Sequence, residues 1–216
     1  MGIKGMVSHN AIMLVVLIFI NFLCMSAGNI AWTVLGLIAL VGILFLTYRH
    51  GAATGREACA ILDTVNKTHI GDGASASGFD RQYARQAWSA SRGVKALFAS
   101  ALVPYVCSCV YIIMMQFGDG TEVHTTIARA IAWILNLPFW PAVAWKYEVF
   151  TSLDWPIVLV LMVGPFVVPT VTCLGYLQGP ELWKKTEEAM AKGKRRAKAR
   201  SRIVKKNKPR VQKPQI

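Results

Sequence analysis

Four long stretches without charge constrain this chain more than any other feature. Residues 10–28, 30–48, 94–117 and 155–177 contain one charged side chain between them, Lys95 at the edge of the third stretch. A helix needs about 20 residues to cross the hydrocarbon core of a bilayer. Backbone groups without a hydrogen-bond partner are not tolerated there, so each crossing must be helical. The sequence therefore predicts an all-α integral membrane protein with four transmembrane helices.

The composition agrees with burial in lipid. Hydrophobic residues make up 54% of the 216 residues and charged residues only 16%, whereas soluble domains carry about 25% charged residues. The five cysteines form no CxxC pair, so neither a disulfide framework nor a metal site is predicted. No cofactor is expected.

The distribution of the net charge of +13 predicts the orientation. From Glu181 onward, fourteen Lys and Arg residues stand against three Glu residues. Basic segments next to a membrane span stay in the cytoplasm, and the loop 49–93 is also basic. We therefore expect a cell-membrane protein with both termini in the cytoplasm. Its membrane domain would cover residues 1–178 and its basic tail residues 179–216.

One segment allows two interpretations. Residues 125–137 are mostly apolar, and Pro138 and Pro141 follow. A run this short is more typical of a re-entrant or interfacial half-helix, and the prolines would end a helix before it crossed. The prediction is a half-helix on the external side; the alternative is a fifth span over residues 126–145.

Three helices are predicted outside the spans. The second span is expected to continue as a polar helix over residues 51–66, an interfacial helix to cover residues 80–92, and a tail helix to cover residues 180–202. Gly51 and Gly55 form a GxxxG pair, which can bring two helices close together. Such pairs are common by chance and this one lies outside the lipid, so no specific contact is expected.

The spans offer little chemistry. Charged residues and histidines are missing from their centres, which argues against a proton pump or an ion path. The four histidines are scattered in the sequence, and the chain contains neither HExxH nor GxSxG. We predict no catalytic residue and no enzyme. The polar span residues are expected to form hydrogen bonds between helices; they are Asn21, Thr33, Ser100, Ser108, Thr170 and Thr172.

Tryptophans gather where the spans are expected to end. Trp side chains are enriched at membrane interfaces, because the ring is apolar and its N–H is polar. The predicted interfacial anchors are Trp32, Trp88, Trp133, Trp140, Trp145 and Trp155.

The basic tail carries the strongest functional signal. Lys and Arg near a membrane attract anionic lipid headgroups, and RNA phosphates would bind the same charges. The tail could also act only as a topology anchor without a partner. The predicted contact residues for anionic lipid or RNA, ribosomal RNA included, are Lys192, Lys194, Arg195, Arg196, Lys198, Arg200, Arg202, Lys205, Lys206, Lys208 and Arg210.

These features favour a non-enzymatic accessory or scaffold subunit. Its partner would be another membrane protein or a second copy of the chain, and the aromatic segment 138–141 would offer a lateral contact on the outer side. The alternative is a component of a transporter or channel, in which Pro104, Pro165 and Pro169 break the helices that line a path.

Overall fold

The chain is helical throughout the part that the structure describes. This computed structural model describes residues 2–25, 29–68, 83–117, 123–143 and 153–206, and none of these is in a strand. A 3-10 segment, Leu137–Ala142, follows the fourth helix directly. The six α-helices are α1 (Ile3–Met25), α2 (Asn29–Thr68), α3 (Ala90–Phe117), α4 (Val123–Asn136), α5 (Trp155–Leu177) and α6 (Gly179–Lys206).

Four of the helices are long and apolar enough to cross a membrane: α1, α2, α3, and α5 together with its continuation α6. The predicted all-helical class with four such helices is therefore confirmed. The predicted extension of the second span is confirmed as well, because α2 runs without interruption for 40 residues. The tail helix is also present and begins at Gly179.

The predicted helix over residues 80–92 is interrupted in its described part, although Tyr83 and Ala84 are helical. The chain turns between Arg85 and Ser89, and α3 begins only at Ala90. Trp88 causes the break: its backbone N–H donates to the carbonyl of Ala58 in α2 (2.9 Å), and its indole N–H donates to the carbonyl of Tyr176 in α5 (3.4 Å). Tertiary hydrogen bonds replace the helical ones here.

Glycines bring α2 and α5 into backbone contact. A methyl group on Gly51 would collide with the carbonyl oxygen of Thr172, and one on Gly55 with that of Tyr176. The contact is reciprocal, since a methyl group on Gly175 of α5 would collide with α2. The expectation that the GxxxG pair makes no specific contact is therefore wrong. Gly51 and Gly55 of α2 pack directly against the backbone of α5, and Gly175 of α5 packs against the backbone of α2.

The glycine contacts also fix the direction of α5 and α6 relative to α2. Gly51 lies beside Thr172 and Gly55 beside Tyr176, so both chains advance in the same direction. Farther along, Lys67 Nζ of α2 lies 3.8 Å from Glu187 Oε1 of α6. The pair therefore continues past the apolar segments as a two-helix unit, which we call the stalk (residues 49–68 and 179–188).

The tip of α4 and the 3-10 segment insert into the bundle. Asn136 Nδ2 donates to Ser108 Oγ in α3 (3.0 Å), and a methyl group on Gly164 of α5 would lie 2.8 Å from the Phe139 ring. Trp155 at the start of α5 lines a shallow cavity with Met115, near the end of α3. The chain thus enters and leaves this region at the same end of the bundle.

The glycine contact predicts opposite effects for one substitution at two positions of α2. Alanine forms helices better than glycine by about 1 kcal/mol, so Gly42→Ala should leave stability unchanged or raised, because a methyl group there has no atom within 4 Å. Gly51→Ala should lower the free energy of unfolding by about 1–3 kcal/mol, since the methyl group overpacks against backbone. Unfolding of the full chain in mild detergent measures both. Equal stability of the two variants would contradict the backbone contact.

Candidate functional site

A buried polar network joins three helices at one level of the bundle. Asn10 Nδ2 of α1 donates to Ser100 Oγ of α3 (3.0 Å), and Thr172 Oγ1 of α5 donates to Asn10 Oδ1 (2.6 Å). Asn10 is 3% exposed and Thr172 2% exposed. Interhelical hydrogen bonding is thus confirmed for Ser100 and Thr172. The sequence interpretation missed Asn10, although it is one of the few polar residues of the first apolar stretch.

A second polar contact holds the tip of α4. Asn136 donates to Ser108 across helices and to the carbonyl of Ala132 within α4, and Ser108 donates to the carbonyl of Pro104. Ser108 and Asn136 are both fully buried. Asn21 differs, because its side-chain N–H donates to the carbonyl of Leu17 in its own helix.

An apolar groove lies beside the network. It has a volume of about 320 Å³ and is bounded by α1, α3, α5 and the tip of α4. Its lining includes Pro104, Pro165 and Pro169, the prolines predicted to border a path, and its polar lining residues are Asn10 and Ser100. None of the lining residues is charged. The groove can therefore hold an apolar group, but it gives an ion no replacement for its water shell.

Two of the four histidines come together, which the sequence did not predict. The rings of His9 in α1 and His50 in α2 stack with their centroids 3.6 Å apart and their planes at 16°. Two protonated rings at this distance would repel each other, so the stack favours the neutral forms. Within the described residues, no group of three or more His, Cys, Asp and Glu side chains could hold a metal ion. The stack serves as a link between α1 and α2.

The predicted tryptophan anchors divide by burial. Trp32 and Trp140 are 3% and 1% exposed, so both rings contact protein rather than headgroups and act as core residues. Trp145 lies outside the described residues. The remaining anchors keep surface for an interface, and for them the interpretation stays a prediction: Trp88 and Trp133 are half-buried and Trp155 is 73% exposed.

The aromatic segment 138–141 packs inward. All four of its residues are buried, and the indole N–H of Trp140 donates to the carbonyl of Trp133 (3.0 Å). The two prolines keep the chain in a tight 3-10 turn, which directs both aromatic rings into the core. The lateral contact surface expected of this segment is therefore absent from it.

Nine of the eleven basic residues of α6, all but Lys184 and Lys185, lie beyond its contact with α2. Leu182, Trp183 and Thr186 are half-buried against the bundle, whereas every described side chain from Glu187 to Ala197 is exposed. Four of the predicted contact residues are among the exposed ones: Lys192, Lys194, Arg195 and Arg196. Five more belong to α6 with side chains that are not described: Lys198, Arg200, Arg202, Lys205 and Lys206. Lys208 and Arg210 lie outside the described residues.

The stalk contains a buried thiol. Cys59 lies eleven residues beyond Tyr48, the last residue of the second apolar stretch, and borders a groove with Trp88 and Trp183. Its burial raises the pKa of the thiol from 9.0 to about 11. The thiol is therefore protonated at neutral pH and packs as a small apolar group.

The polar network predicts unequal effects for the same isosteric change at two buried threonines. Thr172→Val removes a hydrogen bond to another helix, whereas Thr47→Val removes bonds to carbonyls of its own helix. Thr172→Val should therefore lower the free energy of unfolding by about 0.6–1.7 kcal/mol more than Thr47→Val. Unfolding in detergent measures the difference, and a loss at Thr47 equal to or larger than that at Thr172 would count against the network.

The buried thiol predicts slow alkylation. A rise in pKa of two units lowers the thiolate fraction about a hundredfold. With Cys59 as the sole cysteine, iodoacetamide should react about a hundred times more slowly than with a sole cysteine introduced by Lys192→Cys. The Cys59 rate should still rise tenfold per pH unit at pH 9. Similar rates at neutral pH would show that the thiol is not buried.

Comparison with known proteins adds no relative. No family model matches the chain, and no curated protein or solved structure matches it. Its function therefore has to be inferred from the contacts, burial and charge described above.

Proposed function

We propose that the chain is a multi-pass membrane protein that acts as a non-enzymatic scaffold, with both termini in the cytoplasm. One observation carries the proposal: α2 and α5 are joined backbone to backbone and continue together beyond their apolar parts as the stalk. A bundle of this kind anchors a rigid cytoplasmic projection to a membrane. The basic end of α6 would be the part offered to an anionic partner.

The half-helix supports the same arrangement. Ser108, which binds the tip of α4, lies nine residues from the end of α3 at Phe117. Nine residues of helix span about 14 Å, roughly half of a 30 Å hydrocarbon core. On this proposal α4 is re-entrant from the outside, and the hydrogen bond from Asn136 to Ser108 holds its tip. Irregular backbone at such depth is tolerated only inside protein, which agrees with the burial of the 3-10 segment.

The absence of reactive groups from the apolar stretches supports a scaffold over an enzyme. Those four stretches contain Lys95 as their one charged residue, at an edge. The buried polar groups of the network bond to one another and to backbone carbonyls, so they stabilise helix packing. A partner would be another membrane protein or a second copy of the chain.

Accessibility of two engineered cysteines tests the topology. In an otherwise cysteine-free chain, Gln116→Cys at the outer end of α3 should react with a membrane-impermeant maleimide added to intact cells. Lys192→Cys on α6 should react only after the cells are permeabilised. Both side chains are exposed in the structure, so burial does not explain a difference. Labelling of Lys192→Cys in intact cells would contradict the proposed topology.

Crosslinking in cells tests the scaffold role. A photoreactive residue at Leu102, exposed on α3, should give a discrete adduct with a membrane protein or a second copy. The same residue at the buried position Ala101 is the control and should give no adduct. The scaffold role would be contradicted if photoreactive residues at exposed positions on each of the four apolar helices gave no adduct and the chain remained monomeric.

The apolar groove supports a second candidate, a transporter component for an apolar solute. The prolines of α3 and α5 and the tip of α4 line it together, as the alternative interpretation requires. Proteoliposomes containing the full chain should then release an encapsulated dye, with an apolar body and a polar group that keeps it inside protein-free liposomes, faster than protein-free liposomes. Replacing Gly164 with Leu, which would fill the groove next to Phe139, should abolish the difference. Equal release from both kinds of liposome would remove this candidate.

A further inference from the structure

The charge of α6 changes where its contact with α2 ends. Residues 179–188 contain Lys184 and Lys185 against three Glu residues, whereas residues 192–206 contain nine Lys and Arg residues and no acidic one. We call residues 192–206 the basic tip. Among the described side chains of α6, Glu187 is the last with an ion pair to α2, through Lys67, and the described part of the basic tip is exposed. The helix thus has a part of mixed charge that packs and a cationic part whose described side chains are free of such packing.

The stalk also sets the distance of the basic tip from the apolar region. Gln178 continues the hydrogen bonding between α5 and α6, because its N–H donates to the carbonyls of Leu174 and Gly175 and its carbonyl accepts from Leu182. At 1.5 Å per residue, Lys192 lies about 22 Å beyond Leu177 and Lys206 about 43 Å beyond it.

At these distances the electrostatic attraction of a membrane surface is weak. The headgroup layer is about 7 Å thick, so the basic tip begins about 15 Å beyond it. Charges are screened over about 8 Å at physiological ionic strength, which leaves little attraction to lipid. A helix that lies on a membrane also needs a broad apolar face, and the bulky aliphatic residues of the basic tip are only Ile203 and Val204.

The four described cations of the basic tip lie on three sides of the helix. Successive residues are turned by about 100°, so Lys192 and Arg196 share one side while Lys194 and Arg195 lie on two others, and all four are exposed. A folded acidic protein would meet one side of such a helix. The phosphates on the two walls of an RNA groove can meet several sides at once, and Arg binds phosphate with two parallel hydrogen bonds.

We propose that the basic tip of α6 binds the phosphate backbone of structured RNA, at a distance from the membrane that the stalk sets. This inference rests on the proposed function, because it requires the basic tip to be cytoplasmic. The basic tip contains no aromatic residue on which a base could stack, so binding is independent of RNA sequence.

Fluorescence anisotropy with a labelled RNA hairpin tests the inference on the full chain in nanodiscs of phosphatidylcholine. Six phosphate contacts would make the affinity fall about a thousandfold between 50 and 200 mM salt. Arg195→Gln/Arg196→Gln should weaken binding about tenfold and reduce the slope of log affinity against log salt by about 2. Lys184→Gln/Lys185→Gln removes the same charge from exposed residues of the stalk and should change the affinity less than about twofold.

Three results would overturn the inference. The first is equal RNA affinity of the two double variants, since binding would then follow net charge alone. The second is displacement of the RNA by polyglutamate at a lower charge concentration than by unlabelled RNA, which would indicate an acidic protein. The third is quenching of a dye on Lys194→Cys by headgroup quenchers in anionic nanodiscs, which would indicate lipid. Correct maleimide topology without RNA binding would defeat this inference alone, whereas external labelling of Lys192→Cys would defeat the proposed function as well.

Discussion

The backbone contact between α2 and α5 is the constraint on which the rest of the structure depends. Gly51, Gly55 and Gly175 remove the side chains that would keep two helices apart. In a bilayer, helices gain no hydrophobic stabilisation from meeting each other, so close packing of small residues decides which surfaces associate. Because the contact continues past the apolar part of α2, it also fixes the course of the chain beyond the apolar region. The turn at Trp88 docks on both helices, through Ala58 and Tyr176.

Buried amides then place the other helices around this pair. Asn10 joins α1 to α3 and α5, and Asn136 holds the tip of α4 against α3. These two side-chain amides restrict how the helices can pack, because an amide without a hydrogen bond in an apolar interior would cost about 2–7 kcal/mol. The apolar groove lies between the helices that Asn10 connects. Polar bonds therefore determine the positions of α1 and α4, while glycines determine those of α2 and α5.

The charge of α6 follows its packing. Acidic residues occur as far as Glu188, close to the end of the contact with α2, and only basic ones follow. Opposite charges can be balanced where two helices lie side by side, whereas a helix segment that carries only cations, four of them described as exposed, repels itself and gains from a polyanion. The stalk holds the basic tip of α6 at a defined height above the apolar part of the bundle. In the proposed RNA contact, this height, more than the amount of charge, favours RNA over lipid as the partner.

The sequence alone determined the long apolar helices and how the charge is divided, because apolar length and charge are local properties. It predicted the four long apolar helices, the extension of α2 and the helix of the tail. It could not assign partners to side chains, since these depend on residues far apart in the chain. The residues that the GxxxG pair contacts, Thr172 and Tyr176, lie about 120 positions away, so no local pattern pointed to them. For the same reason, His9 and His50 looked scattered, Trp140 looked like an anchor, and Asn10 attracted no attention. Only the tertiary structure brought these residues together, because contacts between helices depend on which faces meet, and no local pattern specifies that.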